Sequence, residues 1–396
     1  MMEDNNDLRL RVPIGVKDML PEEAWRKRQL EQEFAQLFYR WGYQEVVTPT
    51  FEFYQALAVA GSNGEQEQNL FKFMDRQGHI LALRPDMTTP IARLVATRMK
   101  DALAPQRLFY LSNVFSYAEP QVGRQREFFQ AGVEFIGSAS GDADGEVVAL
   151  AIEVLKAAGL KNFQLHLGQM AVFKGIMEEI GLEEQQQRRF KSTLANKDFV
   201  GMEEILDTSG ADASVKDRVR ELLALRGGRE VLERAGELIA DNPAKKGLDN
   251  LKEIYAVLEN YGVAEYVVID FSVLRGFEYY TGLIFEGYAQ HLGFPICGGG
   301  RYDKLLGQWG HPSPATGFAV GLERIMLALD RQGDALPVPA PDVLLVYPKE
   351  KRREAIQLAQ KYRREGLAVE TVLEDSDVEK VRSYAGGRGI SRIIEL

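Results

Sequence analysis

The chain has 396 residues, 45% of them hydrophobic and 27% charged, a balance that predicts a globular protein of roughly two or three domains with a sizeable core. A formal net charge of −10 counts against a protein whose main task is gripping a long polyanion, because phosphate contacts need a concentrated cationic surface. No apolar run approaches the roughly 20 residues of a membrane span, the polar start "MMEDNNDLRLRVP" carries no secretory core, and Cys297 is the only cysteine. A reducing cytoplasm is therefore the expected setting, with no intrachain disulfide.

In chain order, residues 21–42 predict the first helix. Leu30, Phe34, Leu37, Phe38 and Trp41 fall on one face, Pro21 stands near the start and Gly42 ends it. "YQEVVTPTFE" predicts a strand broken at Pro49. "HILALRPDMTTPIARLVA" predicts a strand, a turn at Pro85 and a helix entered through Thr88 or Thr89. "QRLFYLSNVF" and "EFFQAGVEFIGS" are strands joined by a charged loop carrying Arg124 and Arg126. "DADGEVVALAIEVLKAAG" predicts a helix whose Asp-x-Asp-Gly start lacks the remaining ligands of a calcium loop and suits a helix N-cap. "NFQLHLGQ" is a strand. Residues 171–260 are almost wholly helical and charged, which predicts a helical insertion.

Strand character returns in "EYVVIDFSVLRGFEYYTGLIFEGYA", which has the β-branched and aromatic residues expected of paired strands. "ICGGGRYDKLLGQWG" is expected to be a glycine-rich turn leading into a short helix, and "ATGFAVGLERIMLAL" a strand running into a helix. The proline-rich "ALPVPAPD" (335–342) predicts a linker between a core of residues 1–334 and a small unit of residues 343–396. Beyond it, strand and helix alternate β-α-β-α-β, the pattern of a small parallel sheet.

Several stretches carry polar residues suited to a ligand, each with a plain structural alternative. In "RGFEYYTG", Arg275 offers a permanently charged fork for a carboxylate or phosphate. Tyr279 and Tyr280 would point to opposite faces of a strand, so one of them is expected in a pocket. The alternative is a surface arginine and a buried tyrosine pair. Asp86 and Thr88 in "LRPDMTTP" can hold an ammonium group or simply cap a helix. Gln130 and Glu134 share one face of a strand, as a polar pocket floor or an exposed sheet face. Gly298, Gly299 and Gly300 allow close backbone approach to a flat ring, or a tight turn. Arg324 starts a helix after a strand and faces either a ligand or solvent. Cys297 has no base nearby in sequence and is expected to be packed. The four histidines, His79, His166, His291 and His311, show no ligand spacing, and no nucleotide or dinucleotide fingerprint is present, so neither a metal nor another cofactor is expected.

Taken in order, these stretches resemble the class II aminoacyl-tRNA synthetase core, and specifically histidyl-tRNA synthetase, over most of the chain. "GVKDMLPEEAWRKRQLEQEF…WGYQEVVTPTFE" looks like motif 1, the dimer-forming helix and strand. "NVFSYAEPQVGRQREFFQ" looks like motif 2 and "ATGFAVGLERIM" like motif 3. "RGFEYYTG" and "CGGGRYDKL" look like the two histidine-specific signatures. The resemblance implies an α+β fold: an antiparallel sheet flanked by helices, with a helical insertion and a truncated α/β anticodon-binding-like unit at the end. It also implies a histidine pocket. Asp86 (one methylene shorter than the family's usual Glu) and Thr88 would hold the α-amino group. Gln130 and Glu134 would meet the backbone and imidazole regions. Arg275 would sit near the carboxylate, with Tyr279 and Tyr280 around the ring.

Motif 2 of the synthetases reads Phe-Arg-x-Glu-Arg-Pro, and its first arginine neutralises the α-phosphate. Here the matching residues are Phe115, Ser116, Tyr117, Ala118, Glu119 and Pro120. Arginine has become Ser116, glutamate Ala118 and arginine Glu119. One lost electrostatic contact of this kind costs about 3–4 kcal/mol in a transition state. Residues 341–396 hold 11 Lys+Arg against 10 Asp+Glu, little excess for reading tRNA. A kept histidine pocket with a lost ATP site looks like the non-catalytic regulatory subunits of ATP phosphoribosyltransferase. That resemblance implies a short-form catalytic subunit as partner, histidine as effector, feedback inhibition of the first step of histidine biosynthesis, and a homodimer within a hetero-oligomer. Two alternatives stay open: a divergent histidyl-tRNA synthetase, and a module that senses histidine or tRNA.

Overall fold

The computed structural model describes all residues except 1–6, 59–67, 118, 120–124, 196, 240–242, 275–278 and 374–377. The chain divides into two compact units, Met1–Leu336 and Pro337–Leu396.

The first unit opens with α1 (Pro21–Arg40), where proline begins the helix and Glu22 and Glu23 complement its positive end. Leu30, Phe34, Leu37 and Phe38 are buried on one face, as the helical spacing predicts. Gly42, at φ +81°, turns the chain into β1 (Gln44–Glu45). There follow β2 (Phe51–Phe53), the short α2 (Tyr54–Ala58), β3 (Lys72–Met74), β4 (Ile80–Leu83) and α3 (Thr88–Arg98). Strands β2, β4 and β3 pair antiparallel in that order. The long hairpin β5 (Gln106–Phe115) and β6 (Glu127–Ile136) comes next, then α4 (Gly141–Ala157) and β7 (Phe163–Gln169).

The predicted insertion comprises α5 (Met170–Ile180), α6 (Glu184–Ala195), α7 (Phe199–Thr208), α8 (Ala213–Ala224), the two-residue β8 (Arg226–Gly227), α9 (Arg229–Leu238) and α10 (Pro243–Asn260). The unit closes with β9 (Val267–Asp270), β10 (Leu283–Ala289), β11 (Cys297–Arg301), β12 (Ala315–Gly321) and α11 (Leu322–Gln332).

Nine strands form one sheet in the order β1-β5-β6-β12-β11-β10-β7-β9-β8. It is antiparallel apart from two parallel pairs, β1 with β5 and β7 with β9. The C-terminal half of β6, residues 131–136, is buried throughout rather than alternating, which is the mark of a strand covered on both faces. Helix α4 packs on α10 through Gly145, where a Cβ would press on the side chain of Val257.

Three local expectations change. The run Cys297–Arg301 is a fully buried central strand, not a turn. Its glycines are needed because β11 and β12 leave no room: a Cβ on Gly299 would meet the Gly317 carbonyl and Phe318. The cap of α4 is Ser140, whose hydroxyl accepts from the Ala143 N–H, while Asp144 turns into the core. Finally, β9 and β10 do not pair with each other; β7 lies between them.

The second unit contains β13 (Val343–Tyr347), α12 (Arg352–Arg364), β14 (Val369–Leu373), α13 (Val378–Gly387) and β15 (Arg392–Glu395). Its three strands are parallel in the order β14-β13-β15. Alternation along β13 feeds two apolar clusters. Val343 and Leu345 pack with Ala359, while Leu344 packs with Val381, Ala385 and Ile390.

Candidate functional site

A cavity of about 590 Å³ opens over the sheet of the first unit. Its wall includes Asp86 and Thr88 at the start of α3, Gln130 on β6, Tyr279 and Tyr280 ahead of β10, and Gly298, Gly299 and Gly317 on β11 and β12. Sequence positions as far apart as Asp86 and Gly317 thus meet in one place. The glycines act by absence. A Cβ at Gly317 would press on the Glu134 carboxyl and on the Val133 carbonyl.

Asp86 does both of the things its sequence context allowed. Its Oδ1 accepts the Thr89 N–H at 2.9 Å and so caps α3, and the same side chain lines the cavity. Burial pushes its carboxyl above the ordinary value, against the opposing effect of the Thr88 and Thr89 groups. Gln130 also faces the cavity, and its buried Oε1 has no hydrogen-bond partner among the described residues. An unsatisfied buried carbonyl costs free energy until a donor arrives.

Glu134 lies one layer behind the wall and is 1% exposed, so the sheet face it shares with Gln130 is an interior one. The Tyr302 hydroxyl donates to its Oε2, and the Thr88 hydroxyl lies beside it. Burial is the main cause that drives its pKa from 4.5 to about 8, so the group is mostly protonated at neutral pH. The stabilisation from this raised pKa is complete below the unfolded value of 4.5 and is lost as pH rises through about 8. Thermal melts from pH 6 to 9 should therefore show a fall in stability with rising pH that Glu134→Gln flattens; parallel profiles for the two proteins would mean that Glu134 is ionised in the fold.

Tyr279 and Tyr280 were expected to diverge across a strand. They precede β10 in irregular backbone, their ring centroids are 5.0 Å apart, and both line the cavity. Arg275, Ala118 and Arg124 lie outside the described residues. Ser116 borders the cavity, whereas Glu119 is exposed. Arg324 is part of the wall rather than solvent-facing; its Nη1 donates to the Pro295 carbonyl at 2.6 Å and its guanidinium lies 5.4 Å from the Phe294 ring centroid. Cys297 is buried in the wall.

Sequence reasoning missed three groups. Tyr302 holds Glu134 and stands 5.8 Å from the Tyr279 ring. Tyr110 is a buried member of the wall. Glu323 accepts the Phe129 N–H on both oxygens, at 3.0 and 3.1 Å. Tyr302 directly follows the glycine strand and its arginine, the one signal that pointed to it. Tyr110 is indistinguishable in sequence from any core tyrosine of a strand.

Among the described residues, no helix is long and apolar enough to cross a membrane. Residues 15–325 match the family model of histidyl-tRNA synthetase. The chain is 49% identical to the ATP phosphoribosyltransferase regulatory subunit of Desulforamulus reducens, over 97% of this chain and 95% of that one. It is 45% identical to the Moorella thermoacetica protein of the same name, over 98% of each. A Bacillus halodurans structure described as an ATP phosphoribosyltransferase regulatory subunit/histidyl-tRNA synthetase superposes with a TM-score of 0.88, at 38% identity and 98% coverage of both chains. A histidyl-tRNA synthetase from Nostoc sp., at 23% identity, shares the fold with a TM-score of 0.83 over 97% of this chain and 90% of its own. With the synthetase sheet, the glycine-floored cavity and Ser116 at its edge, these likenesses place the chain in the family of ATP phosphoribosyltransferase regulatory subunits, built on the histidyl-tRNA synthetase fold.

Proposed function

We propose that this chain is the non-catalytic, histidine-sensing member of an ATP phosphoribosyltransferase complex in the cytoplasm. It pairs as a homodimer within a hetero-oligomer, activates a short-form catalytic subunit, and relays histidine as feedback inhibition of the first step of histidine biosynthesis. The observation that carries this reading is the meeting of Asp86, Thr88, Gln130, Tyr279 and Tyr280 around one cavity, with Glu134 behind them. Asp86 suits an ammonium, the tyrosines and the Glu134 carboxyl suit an imidazole, and Arg275 is assigned to the carboxylate. Ser116 stands at the cavity edge where a synthetase needs an arginine, so adenylate chemistry lacks its phosphate contact. Neither the net charge of −10 nor the balanced charges of residues 341–396 favours tRNA as a ligand.

Histidine can transmit only the difference in its affinity between two states of the complex. The test is phosphoribosyl-ATP formation by a short-form catalytic subunit, with and without this chain, across a histidine titration. Higher activity with this chain and histidine inhibition only in its presence are expected. No change in either would refute the regulatory role, and histidine-dependent ATP–pyrophosphate exchange would show a working synthetase instead.

A further inference from the structure

Two carboxyl groups lie at this side of the cavity, Asp86 in its wall and Glu134 one layer behind it, and no described cation bonds to either. Thr88 links them: its backbone N–H bears on Asp86 and its hydroxyl lies beside Glu134. The groups facing this pair from the surrounding elements are hydroxyls. Tyr110 comes from β5, Tyr280 from the segment before β10, and Tyr302 from the turn after β11. The described cation that acts on Tyr110 is Arg84, and its guanidinium is committed to the carbonyls of Thr48, Pro49 and Asn113. Opposite Glu134 on β12 stands Gly317, which has no side chain to offer.

Two neighbouring acids, Glu134 buried and Asp86 half-buried, with no bonded cation among the described residues, cannot both ionise cheaply. Burial is the main cause that holds Glu134 protonated, and the charge of Asp86 adds to it. An ammonium group placed against Asp86 would cancel that repulsion and bring positive charge to the pair. We infer that a cationic amino acid entering this cavity expels a proton from the Asp86–Glu134 pair, so that effector sensing by this chain is coupled to pH. This rests on the reading of the cavity as a histidine site. The balance is simple. The O–H bond of Glu134 breaks, its electron pair stays on the carboxylate, and the proton goes to the buffer. The ligand keeps its own ammonium proton, and the complex gains an ion pair between that ammonium and Asp86.

For release of one proton, affinity rises by up to about tenfold per pH unit until Glu134 ionises in the free protein. The test is calorimetric titration of the full chain with L-histidine in phosphate and in Tris, between about pH 7 and 8. The expected result is a binding heat that differs between buffers in the sense of proton release, and a dissociation constant that falls with rising pH. Glu134→Gln should abolish the buffer dependence; if that variant does not fold, the wild-type buffer series decides alone. Binding with equal heats in both buffers and a flat pH profile overturns the inference and leaves the histidine site standing. That is the result expected if Glu134 hands its proton to the imidazole. Undiminished buffer dependence in Glu134→Gln overturns it as well, since the proton then comes from elsewhere. Absence of binding at every pH overturns the histidine reading, and the inference with it.

Discussion

Asp144→Ala is expected to destabilise the first unit by about 3 kcal/mol, the lower end of the cost of breaking a buried ion pair, since Asp303 still faces the Arg301 charge. Asp144 is fully buried on α4, and Arg301 is 6% exposed at the end of β11. The Arg301 Nε donates to both carboxylate oxygens, at 2.9 and 3.2 Å. Three of its other four N–H groups donate to the Ser138 and Ser140 carbonyls and to Asp303, which fixes the guanidinium in place. Burial works against the charge on Arg301, and the Asp144 and Asp303 carboxylates together more than restore it, whereas on Asp144 itself burial outweighs the arginine and pushes the carboxyl up. Folded domains hold only about 5–15 kcal/mol in all, so this loss is a large share.

The damage should reach the cavity. The Arg301 carbonyl accepts the Thr281 N–H at 2.7 Å, next to Tyr280, and Tyr302 follows Arg301 directly. Urea denaturation of Asp144→Ala measures the effect, and a change below about 1 kcal/mol would show that the pair does not hold α4 to the sheet. The double variant Asp144→Leu with Arg301→Met should recover most of the loss, because a well-packed apolar pair is often as stable as a buried ion pair.

The second large effect concerns binding rather than folding. Asp86→Asn should weaken histidine by about 10- to 100-fold, the worth of a charge-assisted hydrogen bond of roughly 1.5–3 kcal/mol. Stability should not fall with it. Asparagine caps a helix as well as aspartate does, so the bond from the Thr89 N–H at 2.9 Å has a replacement acceptor. The carboxyl it replaces is pushed up by burial, so its ionised form is a cost to the fold rather than a gain. Calorimetry with histidine and a thermal melt of the same sample separate the two. Unchanged affinity would remove Asp86 from the ammonium site. Lower affinity together with an equal loss of stability would show only that α3 had come loose.

These two sites differ in how far the sequence exposes them. Asp86 sits in a local pattern: strand, proline turn, acid, threonines, helix. A helix start and a polar side chain near it were readable because capping is a relation between residues three apart. The Asp144–Arg301 pair joins positions 157 apart, and Asp144 read in sequence as part of a helix N-cap. Nothing local signals that a carboxylate turns into the core, since the reason is an arginine on a distant strand.

By itself, the sequence determined the periodic elements: the apolar face of α1, the two long strands around the motif 2 loop, the insertion helices and the alternating strands and helices of the second unit. Periodicity follows from backbone geometry and needs no distant neighbour. The ordered motifs also carried the family. Only the tertiary structure decided the rest. It made the glycine run a central strand, because the closeness of β11 to β12 forbids a Cβ. It brought Tyr279 and Tyr280 to the same cavity, because they precede the strand instead of lying in it. It also decided that Glu134 keeps its proton, because burial outweighs the Tyr302 and Thr88 hydroxyls that favour its charge, and burial is set by what surrounds the carboxyl in space, not by its neighbours along the chain.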